Sequence, residues 1–319
     1  MIPGLWRLRL PLPWPGVPHG NAWAIAAGRG VVLVDTGTHE AGSLAQLERA
    51  MEQVNLRLEH VQLLVVTHAH TDHWGQAAPV RDRAGCEFWM HPNHQHGIAA
   101  ISDPEAALAR RMEVGRQSGV PEAALRQYAS RYVSGPSLIA AVIEPDRPLV
   151  SGVVIKTDLG DWHVYETPGH APSHVCLFQP ERRLLISGDH VLGRISLFYD
   201  YGWTPDPVGE FLRSLDLVDS LDARLALSGH GRPFVDVHGH IEGNRQLVAS
   251  RLAAVLATVE DGRGLTAVEI VPGVFGEPMT GVNAAWRLQE TLCYVRHLEV
   301  QRRLAAEDGG EGAKRWQLA

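Results

Sequence analysis

Cysteine is scarce in this chain. Three residues, Cys86, Cys176 and Cys293, are spread over 319 positions with no Cys-X-X-Cys pair. They offer no disulfide framework and no paired-thiolate site, and read as buried small hydrophobes of a reducing compartment. Long apolar runs are also missing: nothing approaches the roughly 18 consecutive apolar residues of a membrane span. Between Met1 and Gly20, Arg7, Arg9 and five prolines interrupt the apolar residues. That leaves no core for a signal peptide and makes a cytoplasmic location the expectation. Excess positive charge is absent too. The formal net charge of −7 weighs against a nucleic-acid partner, whose phosphates are met mostly by Lys and Arg. No low-complexity segment, internal repeat or motif for a nucleophilic Ser or Cys is visible.

What remains is the composition of a soluble globular protein, 45% hydrophobic and 20% charged, long enough for one large α/β domain with a small appendage. Its most informative stretch is Thr67-His68-Ala69-His70-Thr71-Asp72-His73-Trp74-Gly75. Three imidazoles and a carboxylate within six positions are ligands for a divalent metal. The preceding Val61-Gln62-Leu63-Leu64-Val65-Val66 is short, apolar and β-branched, a buried strand that aims the ligand loop from its carboxyl end. His68 and His70, two apart in extended chain, project to one side and close on one ion; Asp72 and His73, past the turn, reach a second.

The rest of the chain repeats this design. Alternation of Trp6, Leu8, Leu10 and Leu12 with Arg7, Arg9 and Pro11 predicts an edge strand. Residues 21–26 and 30–34 predict a hairpin ending at Asp35, a turn residue or an orienting partner for a metal-bound imidazole. Helices are expected over 41–55 and 75–84, and a strand over 87–90. From Pro92 to Pro148 the pattern is helical, over 106–117 and 122–131, and reads as an insertion serving as lid or spacer. His94 and His96 stand at its entrance, as surface residues or substrate contacts. Strands at 153–155 and 162–165 lead to His170 in a Pro-Gly loop, a third ligand for the first ion, while His174 packs at a strand start. Leu184 to Ser187 leads to Asp189, whose two oxygens can bridge two cations. A helix over 206–221 and a strand over 223–227 lead to His230, which completes the second site. The segment Leu197 to Trp203 lines an acyl pocket or packs in the core.

The segments Val34-Asp35-Thr36-Gly37, Thr67 to Gly75, Thr167-Pro168-Gly169-His170, Ser187-Gly188-Asp189-His190 and Ser228-Gly229-His230-Gly231 resemble, in order and spacing, the metallo-β-lactamase superfamily. The resemblance covers about Leu5 to Phe234. It implies an α/β fold, a four-layer αββα sandwich with a two-metal site at one edge between the sheets. His68, His70 and His170 match the first site, Asp72, His73 and His230 the second, and Asp189 the bridge. The cofactors implied are two divalent ions, zinc first, with iron or manganese as alternatives. True zinc β-lactamases are typically exported, and lack the second-site histidine and the bridging aspartate, so antibiotic hydrolysis is not the expected work. The chain is closer to the glyoxalase II, lactonase and β-lactamase-like protein 2 types, although Gly75-Gln76 replaces the paired glycines common in glyoxalase II.

After Phe234 the chain resembles the small carboxyl-terminal domain of the last of these. Helices over 241–259, 266–271 and 283–298, then strands over 299–306 and 313–318, predict a winged helix. The expected division is 1–240 for the catalytic domain and 241–319 for the winged-helix-like domain. From Asn283 onward six basic residues face five acidic ones, so packing or homodimerisation is favoured over DNA binding. The expected function is an enzyme, with a metal-bridging hydroxide cleaving a small thioester, lactone or carboxylic ester, Asp189 as bridge and Asp72 passing a proton. A nuclease or phosphodiesterase on the same ligands is the alternative if a basic track leads to the metals; a DNA-binding regulator is the non-enzymatic one. The partner is a small molecule rather than nucleic acid or membrane.

Overall fold

The computed structural model describes residues 2–14, 16–134, 137–260, 264–277, 283–308 and 312–319. Strands β1 (Leu5–Trp14), β2 (Val17–Ala27), β3 (Gly30–Val34), β4 (Val61–Val65), β5 (Glu87–Met90) and β6 (Arg147–Pro148) form one sheet in chain order. It is antiparallel up to β3 and parallel from there on. Strands β7 (Val154–Thr157), β8 (Gly160–Glu166), β9 (Val175–Gln179), β10 (Leu184–Gly188) and β11 (Leu225–Ser228) form the second, ordered β11-β10-β9-β8-β7. Helices α1 (Ser43–Glu52), α2 (Thr71–Trp74) and α3 (Ala77–Ala84) belong to the first half, and α4 (Gln95–Ser102), α5 (Pro104–Gln117) and α6 (Glu122–Ser134) to the β5–β6 connection. Helix α7 (Pro207–Ser220) joins β10 to β11; α8 (Val237–Glu260), α9 (Ala267–Phe275), α10 (Ala284–Val300) and the hairpin β12 (Leu304–Asp308), β13 (Lys314–Leu318) follow.

Side chains alternate across a strand, and in both sheets the two faces are covered. Val32, Val34 and Val65 meet Val175, Leu177, Leu184 and Ile186 between the sheets. Val31, Leu33 and Leu64 face the other way, onto Leu47 and Met51 of α1 and Val80 of α3. Cys176, Phe178 and Leu185 turn outward onto Val208, Phe211 and Leu215 of α7. The outcome is the expected helix, sheet, sheet, helix sandwich.

The β5–β6 connection differs from its expectation in two ways. It carries a third helix, α4, too short and too interrupted by Gly97 to show a helical period. A Cβ on Gly97 would sit 2.0 Å from Ala69 O, so the connection packs directly on the ligand loop. It also ends in a strand, because Arg147 and Pro148 pair with Trp89 and Met90 at the edge of the first sheet, where a residue without an N–H is tolerated.

The three carboxyl-terminal helices and the hairpin occur in the expected order, with α8 starting at Val237 rather than Ile241. Thr266 and Glu269 form a reciprocal cap at the start of α9. Val248, Val271, Leu292, Tyr294 and Trp316 share one core with α7 and the outer face of the second sheet. The turn of the expected wing, Gly309-Gly310-Glu311, lies outside the described residues. No helix among the described residues is long and apolar enough to cross a membrane.

Candidate metal centre

Four strand ends converge at one edge of the sandwich. After β4 the chain bends through His68, and His70 caps the one-turn helix α2, which carries Asp72 and His73. His170 follows β8, Asp189 follows β10 and His230 follows β11. On one side, His70 Nδ1 lies 3.1 Å from His68 Nε2 and 3.0 Å from His170 Nε2. On the other, His230 Nε2 lies 3.1 Å from Asp72 Oδ2, and His73 Nε2 lies 3.6 Å from that oxygen. Asp189 stands between: Oδ2 is 3.1 Å from His230 Nε2 and 3.9 Å from His170 Nε2, and Oδ1 is 3.5 Å from His73 Nε2. Three imidazoles thus gather on one side, two imidazoles and Asp72 on the other, with one carboxylate shared.

Room for this cluster depends on backbone without side chains. A Cβ at Gly229 would fall 2.2 Å from Asp189 Oδ1 and 2.7 Å from His73 Cε1. One at Gly75 would meet Leu138 O, His39 N and Thr71 O at 2.5 to 2.6 Å.

Each ring is held from behind by an oxygen. His73 Nδ1 donates to Asp35 Oδ2 at 2.8 Å, His70 Nε2 to Asp200 Oδ2 at 2.8 Å, His170 Nδ1 to Phe198 O at 3.1 Å and His230 Nδ1 to His19 O at 3.2 Å. His68 Nδ1 lies 3.1 Å from Thr67 Oγ1, itself a donor to Asp35. In each neutral ring these partners take the outer N–H and leave the lone pair of the inner nitrogen facing the centre, the tautomer a metal ion requires. His73 Nε2 and Asp189 Oδ1 are buried without a hydrogen-bond partner, a cost that a cation between them would remove. The donor set therefore fits a pair of divalent ions.

The metal-free charges divide the same way. Burial pushes His170 down to about 3 and His68 well below its ordinary value, so these two rings are neutral, while Asp200 and Asp72 raise His70 against burial. At His230 burial also acts downward, but Asp189 and Asp72 outweigh it and raise the ring to about 10. His73 is raised well above its ordinary value by Asp72 and Asp189, again against burial.

Asp35 does face a candidate ligand. Its backbone sits at φ 65°, in the left-handed region, while its carboxylate accepts from Thr67 N, Thr67 Oγ1 and His73 Nδ1, bonds that offset the strain. Other readings need correction. His96 is no surface residue: its Nδ1 is 2.8 Å from Asp200 Oδ2 and its Nε2 2.8 Å from Ser173 Oγ. His94 is buried away from the centre, bonded to His91 O. His174 does more than pack, since its Nε2 accepts from Asp189 N at 3.1 Å while its Nδ1 bonds Thr167 Oγ1. The Leu197–Trp203 segment is split by alternation, Leu197 and Tyr199 into the core and Phe198 onto the His70 and His170 rings. Asp200 is the residue sequence reasoning missed; only an acid amid aromatics marked it.

Comparison with known proteins agrees with this geometry. The family described as the metallo-beta-lactamase superfamily matches residues 15–230. The chain belongs to that superfamily. A solved metallo-beta-lactamase family protein from Thermus thermophilus superposes with a TM-score of 0.84 at 26% identity, covering 100% of this chain and 99% of its own. Among curated proteins, the probable metallo-hydrolase YqjP of Bacillus subtilis is 25% identical over 79% of each chain. The atrochrysone carboxyl ACP thioesterase of Claviceps purpurea is 22% identical over 81% of this chain and 67% of its own. As a member of the metallo-β-lactamase superfamily, the chain is a metal-dependent hydrolase.

Proposed function

We propose that this hydrolase cleaves a small ester-like substrate, a thioester, lactone or carboxylic ester, at a two-cation centre. His68, His70 and His170 would hold one ion, Asp72, His73 and His230 the other, with Asp189 available to both. Zinc suits imidazole with carboxylate, and iron or manganese are accepted by the same ligands. The observation that carries the acyl substrate is the aromatic wall on the three-histidine side. Phe198 packs on His70 and His170 at 5.5 and 5.6 Å, and Trp286 of α10 packs on Phe198 at 6.4 Å. Such a wall accommodates an acyl chain and offers nothing to a sugar-phosphate backbone. The relative named as a thioesterase points the same way.

Two cations so held would supply a water of lowered pKa and a charge to polarise the acyl oxygen. The chain's own residues do the rest. Asp72 accepts the proton of the attacking water and passes it to the departing sulfur or oxygen. His174 fixes the backbone of Asp189, and Asp35 and Asp200 fix the His73 and His70 rings.

A cluster of arginines beside His230 favours a second reading, phosphodiester cleavage. The test is hydrolysis of thioesters, lactones, simple esters and bis(p-nitrophenyl) phosphate by metal-loaded protein, with His70→Ala as control. Acyl turnover lost in the control is expected; turnover of the phosphodiester alone would replace this reading with the second.

A further inference from the structure

The surface beside His230 gathers positive charge that nothing neutralises. Arg7 of β1 donates from Nη2 to Gly231 O at 2.6 Å and from Nε to Asn21 Oδ1 at 2.8 Å. The His19 ring lies 3.2 Å from an Arg7 nitrogen and 3.3 Å from an Arg9 nitrogen, and His19 O holds His230. Burial, then the neighbouring Arg9 and Arg232, lower the pKa of the Arg7 guanidinium. Every charged group acting on Arg7 and His19 is itself cationic. Arg7 and Arg9 also line, with Arg49 of α1, a cleft of about 250 Å³. Among the described residues no carboxylate comes within ion-pair distance of Arg7, Arg9, Arg49 or Arg232. In a chain of net charge −7, Arg7, Arg9 and Arg232 without an acid repel one another unless an anion joins them.

We propose that Arg7, Arg9 and Arg232, with His19, form an oxyanion subsite for a phosphate or carboxylate carried on the leaving arm of the substrate. The proposal rests on the acyl reading above and narrows it. The aromatic wall of Phe198 and Trp286 stands on the three-histidine side, the arginines on the His230 side. An apolar acyl group therefore lies toward the first and a charged leaving arm toward the second. Water adds to the acyl carbon, the bond from that carbon to sulfur breaks, and the thiol leaves with one proton along the arginine side. A polynucleotide would need cationic groups on both sides of the metals, and the aromatic side instead carries Asp200.

Two measurements on the metal-loaded full chain test this, each on wild type and Arg9→Ala/Arg232→Ala, which spares the Arg7 bonds to Gly231 and Asn21. The first is calorimetric titration with adenosine 3′,5′-bisphosphate, used as the phosphate probe. Binding is expected, weakened about tenfold in the variant, as loss of charge-assisted hydrogen bonds implies. The second compares kcat/KM for the S-butyryl thioesters of coenzyme A, 3-mercaptopropionate and neutral pantetheine. An anionic ester is expected to lead through a lower KM, and its lead over the pantetheine ester to shrink about tenfold in the variant. Which anionic ester leads separates phosphate from carboxylate. Equal bisphosphate binding by both proteins with an unchanged lead overturns the subsite while leaving thioester cleavage standing. Arginine-dependent bisphosphate binding without turnover of any thioester, lactone or carboxylic ester supports the subsite and overturns the acyl reading. Arginine-dependent cleavage of a single-stranded oligonucleotide overturns the leaving-arm assignment.

Discussion

The two sides of the proposed metal centre hold their imidazoles alike but differ in the protons they carry. Each side has one ring backed by a carboxylate, His70 by Asp200 and His73 by Asp35, and one backed by a carbonyl, His170 by that of Phe198 and His230 by that of His19. A carboxylate behind an imidazole makes it the stronger donor. The proton inventory differs, because on one side the buried His68 and His170 are neutral and only His70, beside Asp200, is raised, while on the other His73 and His230 are both held protonated by Asp72 and Asp189. A cation entering the three-histidine side meets one raised ring, His70; one entering the carboxylate side must displace protons from two, His73 and His230. The first side should therefore fill first and hold its ion more tightly.

The largest effect is expected where the distinction vanishes. Asp189 serves both sides, so Asp189→Ala should lower kcat by on the order of 10³-fold, as loss of a central charge-stabilising group does, and reduce bound metal on both sides. Full retention of both ions, measured by elemental analysis of the purified variant, would remove Asp189 from the shared position. Asp200→Asn comes next: metal affinity of the three-histidine side should fall by about 10- to 100-fold, while the carboxylate side keeps its own. Equal weakening of both ions would erase the comparison.

The contrast between Asp189 and Asp200 also shows what was legible in the sequence. Asp189, like His68, His70, His170 and His230, stands just past a strand, so a strand pattern read one element at a time points to it. Asp200 follows no strand; its meaning lies in a pairing with His70, 130 positions away, and with His96 from the β5–β6 connection. No local pattern carries that information. Asp35 was legible because it ends β3. His174 was legible as buried but not as the acceptor of Asp189 N, since burial and hydrogen bonding look alike in a strand-start histidine. The sandwich followed from apolar alternation. Helix α4 stayed hidden because Gly97 was chosen by close contact with Ala69 rather than by helix propensity.

pH sharpens the comparison further. A protonated imidazole cannot ligate, and His230 keeps its proton up to about pH 10 in the metal-free protein, whereas His170 loses its own at about 3. Between pH 7 and 9 the affinity of the carboxylate side should rise about tenfold per unit for each proton displaced, and that of the three-histidine side should rise less, since only His70 is raised there. Calorimetric metal titrations in two buffers of different ionisation heat read the protons released at each step. Equal release at both steps would contradict the inventory.

The smallest effect concerns what each side presents to substrate. Trp286 is 43% exposed and touches the centre only through Phe198. Trp286→Ala should therefore leave kcat and metal content alone and act on the acyl group. Loss of one aromatic contact implies KM raised about two- to tenfold for a long acyl chain, with an acetyl ester nearly unaffected because it does not reach the ring. A KM that rises equally for acetyl and octanoyl esters would mean that the acyl chain does not lie along Phe198. The sidedness of the centre would then rest on its metals and arginines alone, and the acyl group would have to be sought on the His230 side.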